Sequence, residues 1–182
     1  MDRVLGGVAL IAGGSAWIVA ALIAAADRYG DTAVLRVLRP NEPLSSTFRP
    51  FQENVLLILG VGALAIVLGL ALLYARPLWA AGGGGKAAVV LLALGLLFVA
   101  PWPVLLVGFF SWILGMVALG ISAKRCGLLP SSAAISLIAA AVLFFFFNTE
   151  DDRVLLLIAP AAVFVWLGLR ALMERRLAPA HG

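Results

Sequence analysis

The chain has 182 residues, 64% of them hydrophobic and 12% charged, with a mean hydropathy of +1.12. A typical soluble domain is about 45–50% apolar and about 25% charged, so this chain has too few charged side chains to coat a water-facing globule, and lipid is the solvent that accepts the surplus. The net charge is +4, but the basic residues are scattered between apolar runs, which argues against nucleic acid as a partner. A single Cys126 and a single His181 exclude an internal disulfide framework, a cysteine-only metal site, paired-histidine haem ligation and HExxH zinc chemistry within the chain. No metal or cofactor is implied.

A helix needs roughly 20 apolar residues to cross the hydrocarbon core. The first candidate covers about residues 4–26 and carries no charge. Ala24-Ala25-Ala26 before Asp27 resembles a leader-peptide cleavage site. The apolar stretch is longer than the roughly 7–15 residues of a leader core, and its basic flank is only Arg3 beside Asp2, so a retained membrane helix is the preferred reading. A polar outer loop follows at 27–53, then a second helix at about 54–75. Arg76 to Lys86 breaks the apolar pattern, and its glycines, Gly82 to Gly85, read as a flexible joint.

Residues 87–123 carry no charge, a stretch too long for one crossing. Pro101-Trp102-Pro103 disfavours helix by removing donors and restricting the preceding residues, so two helices are predicted, at about 84–100 and 104–123. A fifth helix is predicted at 131–147 and a sixth at 154–173, with Pro160 as a kink. The fold class expected is therefore an all-α, single-domain bundle of six transmembrane helices. Short matches between the second and sixth helices are read as coincidence within a small alphabet.

Arg and Lys usually concentrate on the cytoplasmic side. With six crossings one side holds Arg3, Arg76, Lys86, Lys124, Arg125, Arg170, Arg175 and Arg176 against Asp2 and Glu174. The other holds Arg28, Arg36, Arg39, Arg49 and Arg153 against seven acids. Both termini are accordingly expected in the cytoplasm, in a protein of the bacterial plasma membrane.

Three features invite a functional reading. Ala12, Ala16, Ala20 and Ala24 recur every four residues on the first helix, and Ala65 with Gly69 and Ser111 with Gly115 repeat the spacing. Small residues let helix backbones approach closely in lipid, either within the bundle or against a partner subunit. In the outer loop, Asp31-Thr32 can cap a short helix at 33–39 that Pro40 stops, with Arg36 and Arg39 on one face. Phe48-Arg49-Pro50-Phe51 repeats the pairing of aromatic and arginine. Arg36, Arg39 and Arg49 are thus candidates for lipid headgroups or another anionic group, in a lipid-anchored connector or in a lid. The acids of Glu150-Asp151-Asp152 read as a solvated turn, too short to wrap a cation.

No Asp, Glu, Lys or His lies in the middle of any predicted crossing, where ion-coupled carriers place one. Ser15 and Ser111 have no His or Lys at their depth to make either a nucleophile. The first functional expectation is therefore a non-catalytic accessory or interaction subunit, its partners being membrane lipid and other membrane subunits. The second is a small-solute binding or transport component. Six helices, inner termini, the alanine-spaced first helix and the long first outer loop are similar to the substrate-binding subunits of energy-coupling-factor vitamin transporters. That resemblance implies that Ala12, Ala16, Ala20 and Ala24 dock on a transmembrane coupling subunit and that the segment around Arg36 to Arg49 covers the ligand. It covers architecture only, with no ligand-binding signature matched. A third expectation, a lipid-handling enzyme using Asp31, Arg36, Arg39 and Glu42, ranks lowest.

Overall fold

The computed structural model describes residues 2–29, 55–99, 104–146 and 152–177. Six helical rods occupy them in chain order, with no strand among the described residues. Helix α1 is Asp2–Tyr29. Helix α2 begins as Val55–Leu70, passes through a π-helical turn at Ala71–Ala75 and ends as Arg76–Ala80. Helix α3 is Gly83–Gly95, extended by a 3-10 segment at Leu96–Val99. Helices α4 and α5 are Val104–Arg125 and Ser131–Phe145. A 3-10 segment at Asp152–Leu157 leads into α6, Ile158–Leu177. Four stretches are long and apolar enough to cross a membrane: Asp2–Ala25, Leu57–Ala80, Leu106–Arg125 and Arg153–Glu174.

The joint between α2 and α3 is more ordered than the sequence suggests. Arg76 does not stop α2. Pro77 has no N–H to give Leu73, and its ring crowds that carbonyl, so the preceding turn widens to π geometry and the rod continues. Only Gly82 takes a glycine-specific conformation, with φ +102° and ψ −158°. Gly83, Gly84 and Gly85 form the first turn of α3, and Gly85 lies so close beneath the Leu78 carbonyl that a Cβ would collide with it. The glycine run is a tight helical hairpin rather than a flexible joint. The α4–α5 turn is equally defined. Leu128 donates to the Ala123 carbonyl at 2.9 Å and Gly127 to that of Lys124 at 3.0 Å, with Gly127 at φ +68°. This is the glycine-terminated cap that satisfies carbonyls at a helix end.

Helix α1 is the centre of one side of the bundle, wedged between α2 and α6. Two glycine seams make this possible. Gly6 and Gly13 face Gly69 and Gly62 of α2, and Gly7 and Gly14 face Gly168 and Ala161 of α6. The closeness is quantitative: a Cβ on Gly13 would sit 2.6 Å from the Gly62 oxygen, and one on Gly14 2.6 Å from that of Ala161. In hydrocarbon, dispersion between closely approaching backbones replaces the hydrophobic force between helices. A seven-residue spacing drifts only about 20° around a helix, so each seam keeps to one face.

The alanine series behaves differently. Four residues overshoot one turn by about 40°, so the series winds around α1. Ala12 is exposed, Ala16 and Ala24 half-buried, and Ala20 fully buried. Directly opposite the glycine seams, the outward stripe of α1 is Leu5, Val8, Ala12, Ser15 and Val19. Ala65 is half-buried, whereas Gly69 packs on Gly6 and Leu10, and Gly115 packs on Leu91 and Leu92 of α3.

Candidate functional site

The middle of the bundle is occupied by rings. Trp17 of α1, Trp112 of α4, Phe144 of α5 and Phe164 of α6 are all fully buried. The Trp17 ring centroid lies 5.2 Å from that of Trp112, 5.6 Å from Phe144 in a stacked arrangement and 6.1 Å from Phe164 edge-on. Phe109 stacks on the other side of the group, 5.3 Å from Phe144. Trp17 also donates its indole N–H to the Leu59 carbonyl of α2 at 2.9 Å. One side chain therefore ties α1 to α2, α4, α5 and α6, and among the described residues the centre is filled by rings.

Spaces bordered by described residues include two away from this core. An apolar cleft of about 100 Å³ runs between α2, α3 and α4, bordered by Leu70, Ala71, Leu78 and Leu92. The second, about 70 Å³, is polar and lies at one end of the bundle. Arg3 of α1, Leu73 and Tyr74 from the π-turn, Leu128 from the α4–α5 turn, and Arg170 and Glu174 of α6 surround it. Arg170 donates through Nε to a Glu174 carboxylate oxygen at 2.6 Å, an i,i+4 pair. The cleft brings together the start of α1, the late part of α2, the α4–α5 turn and the last turns of α6. Arg3, Arg76, Lys124, Arg125 and Arg170 consequently share that basic end. Lys86 joins them at the start of α3, its ammonium 5.5 Å from the Trp79 ring centroid.

Among the expected site residues, Arg36, Arg39 and Arg49 lie outside the described residues, as do Asp31, Glu42 and residues 148–151. Ser111 is buried in α4 beside Trp112, while Ser15 is exposed on the outward stripe of α1. No group of three or more His, Cys, Asp or Glu side chains converges to hold a metal among the described residues. The basic-end cleft escaped sequence reasoning because its residues come from four separate segments. The glycine seams were recoverable: the doublets Gly6-Gly7 and Gly13-Gly14 recur seven residues apart, as do Gly62 and Gly69.

The class defined by these features is an all-helical bundle with several helices apolar and long enough to cross a membrane. Neither a protein-family model, a curated protein nor a solved structure matches the chain.

Proposed function

We propose that this protein is a six-span, non-catalytic membrane subunit that acts by presenting its surface to another membrane-spanning helix. The observation that carries this reading is the aromatic core: Trp17, Trp112, Phe144 and Phe164 fill the bundle centre. A bundle that held a solute at its centre would need that volume open, since pockets for small molecules typically enclose roughly 300 Å³ or more. The outward stripe of α1 supports the same reading. Its middle, Ala12 and Ser15, is small, while large apolar residues such as Leu57, Leu64, Leu114 and Ile135 cover the exposed faces of α2, α4 and α5.

Six crossings with both ends of the bundle's chain on the basic side are supported by the polar cleft. It seats Leu128 beside Arg3 and Arg170, as expected if α3 and α4 make an outward and a return passage. Helix α3 with its 3-10 extension reaches about 27 Å and α5 about 22 Å. Both fall short of the ~30 Å hydrocarbon core, a mismatch that local thinning of the bilayer accommodates. The excess of basic residues at this end supports a cytoplasmic location for it.

The test is cross-linking in native membranes followed by purification in mild detergent, comparing the natural chain with an Ala12→Trp, Ser15→Trp double variant. The natural chain is expected to give a discrete cross-linked species that the double variant loses while remaining monodisperse. A natural chain with the same pattern as the variant contradicts the reading.

A further inference from the structure

The polar cleft at the basic end has a composition that the packing of the bundle does not require. Arg3 and Arg170 face one carboxylate, Glu174, across it, so its immediate walls carry a net single positive charge. Arg170 commits its Nε to Glu174. The terminal nitrogens of Arg170 and the whole guanidinium of Arg3 make no hydrogen bond or ion pair among the described residues. Tyr74 adds a hydroxyl, and Leu73, Leu128 and Ala171 supply an apolar floor. Basic, partly apolar and located at the end of the helices, the cleft has the makeup of sites that receive lipid headgroups between transmembrane helices.

Geometry narrows the ligand. The cleft is small, about 70 Å³, against the roughly 300 Å³ or more of pockets that enclose small molecules. That suits one compact oxyanion with the remainder of its molecule outside, and it is too small for a whole solute. Guanidinium groups match phosphate oxygens with paired N–H donors. The π-turn bears on the same point. The wide turn that Pro77 imposes carries Leu73 and Tyr74 into the cleft wall.

We propose that the cleft formed by Arg3, Tyr74 and Arg170 binds a singly charged phosphate group, either the phosphodiester of an anionic lipid or a free phosphate. Its net charge then becomes zero. This goes beyond the subunit reading and holds whether or not a protein partner exists.

Native mass spectrometry of the full-length chain from detergent tests it, with three separate additions: phosphatidylglycerol, phosphatidylcholine and inorganic phosphate. Phosphatidylglycerol is expected to be retained in preference to phosphatidylcholine. Arg3→Gln should weaken its retention about tenfold, as expected for a lost charge-assisted hydrogen bond, and Tyr74→Phe should weaken it less. Arg125→Gln, an exposed change at the same end outside the cleft, should leave retention intact. Because Arg170→Gln also breaks the pair with Glu174, Arg3→Gln is the decisive variant, its fold checked by the fluorescence of the buried tryptophans. Binding of inorganic phosphate with the same Arg3 dependence, without lipid retention, also supports the proposal and assigns the source to a free anion. Equal retention of both lipids, or retention unmoved by Arg3→Gln, overturns it.

Discussion

The indole nitrogen of Trp17 donates to the Leu59 carbonyl at 2.9 Å, and it can do so because Gly62, one turn further along α2, has no side chain. A Cβ on Gly62 would stand 2.6 Å from the Trp17 Cδ1. The hydrogen bond and the glycine are one device: the missing side chain admits the ring, and the ring's polar edge finds an acceptor where no water is available. Trp17→Phe keeps most of the packing and loses the bond, so stability should fall by about 1 kcal/mol. Trp17→Ala also removes the contacts with Trp112, Phe144 and Phe164 and should cost about 3–5 kcal/mol. Unfolding curves of the two variants in one detergent will check the ordering, and similar costs for the two would show that the ring merely lines an open space.

The glycine seams should be far less tolerant than the alanine series. Gly13→Ala and Gly14→Ala each push a methyl against a backbone carbonyl of α2 or α6 and should destabilise by about 1–3 kcal/mol through overpacking. Ala12→Leu adds a larger group on the exposed face and should change stability by no more than about 0.5 kcal/mol. Melting temperatures of the three purified variants measure the contrast.

The four consecutive glycines should respond in different ways. Gly82→Ala should cost about 1–3 kcal/mol, because its backbone lies in a region open essentially only to glycine. Gly83 is helical with open space around its Cβ position, so Gly83→Ala should stabilise by about 0.5–1 kcal/mol. Gly85→Ala meets the Leu78 carbonyl and should destabilise. A uniform response to all three substitutions, measured by thermal unfolding, would show that the segment lacks the defined hairpin geometry.

The helical rods were legible in the sequence because lipid demands long apolar runs, and those runs are visible without any tertiary knowledge. Their edges were less so. Helix α1 continues through Asp27 and Arg28 to Tyr29, and α2 runs through Arg76 to Ala80, since charge at a membrane boundary does not break a helix. The alanine stripe drew attention through its four-residue spacing, yet that spacing drifts around the helix. The quieter seven-residue glycine spacing holds its face, which is why it forms the seams. The polar cleft was not legible, because Arg3, Tyr74, Leu128 and Arg170 meet only after α1, α2, the α4–α5 turn and α6 have packed.

Cys126 gives the most direct test of the six-span bundle, because it is the chain's single cysteine, it is exposed and it sits in the α4–α5 turn. If α3 and α5 both cross the bilayer, Cys126 lies on the same side as the start of α1. If only the four longest helices cross, it lies on the opposite side. A membrane-impermeant maleimide should label Cys126 in inverted membrane vesicles, where a tag at the N-terminus is also reached, and not in intact cells. Labelling of Cys126 from the side opposite the N-terminal tag would contradict the account.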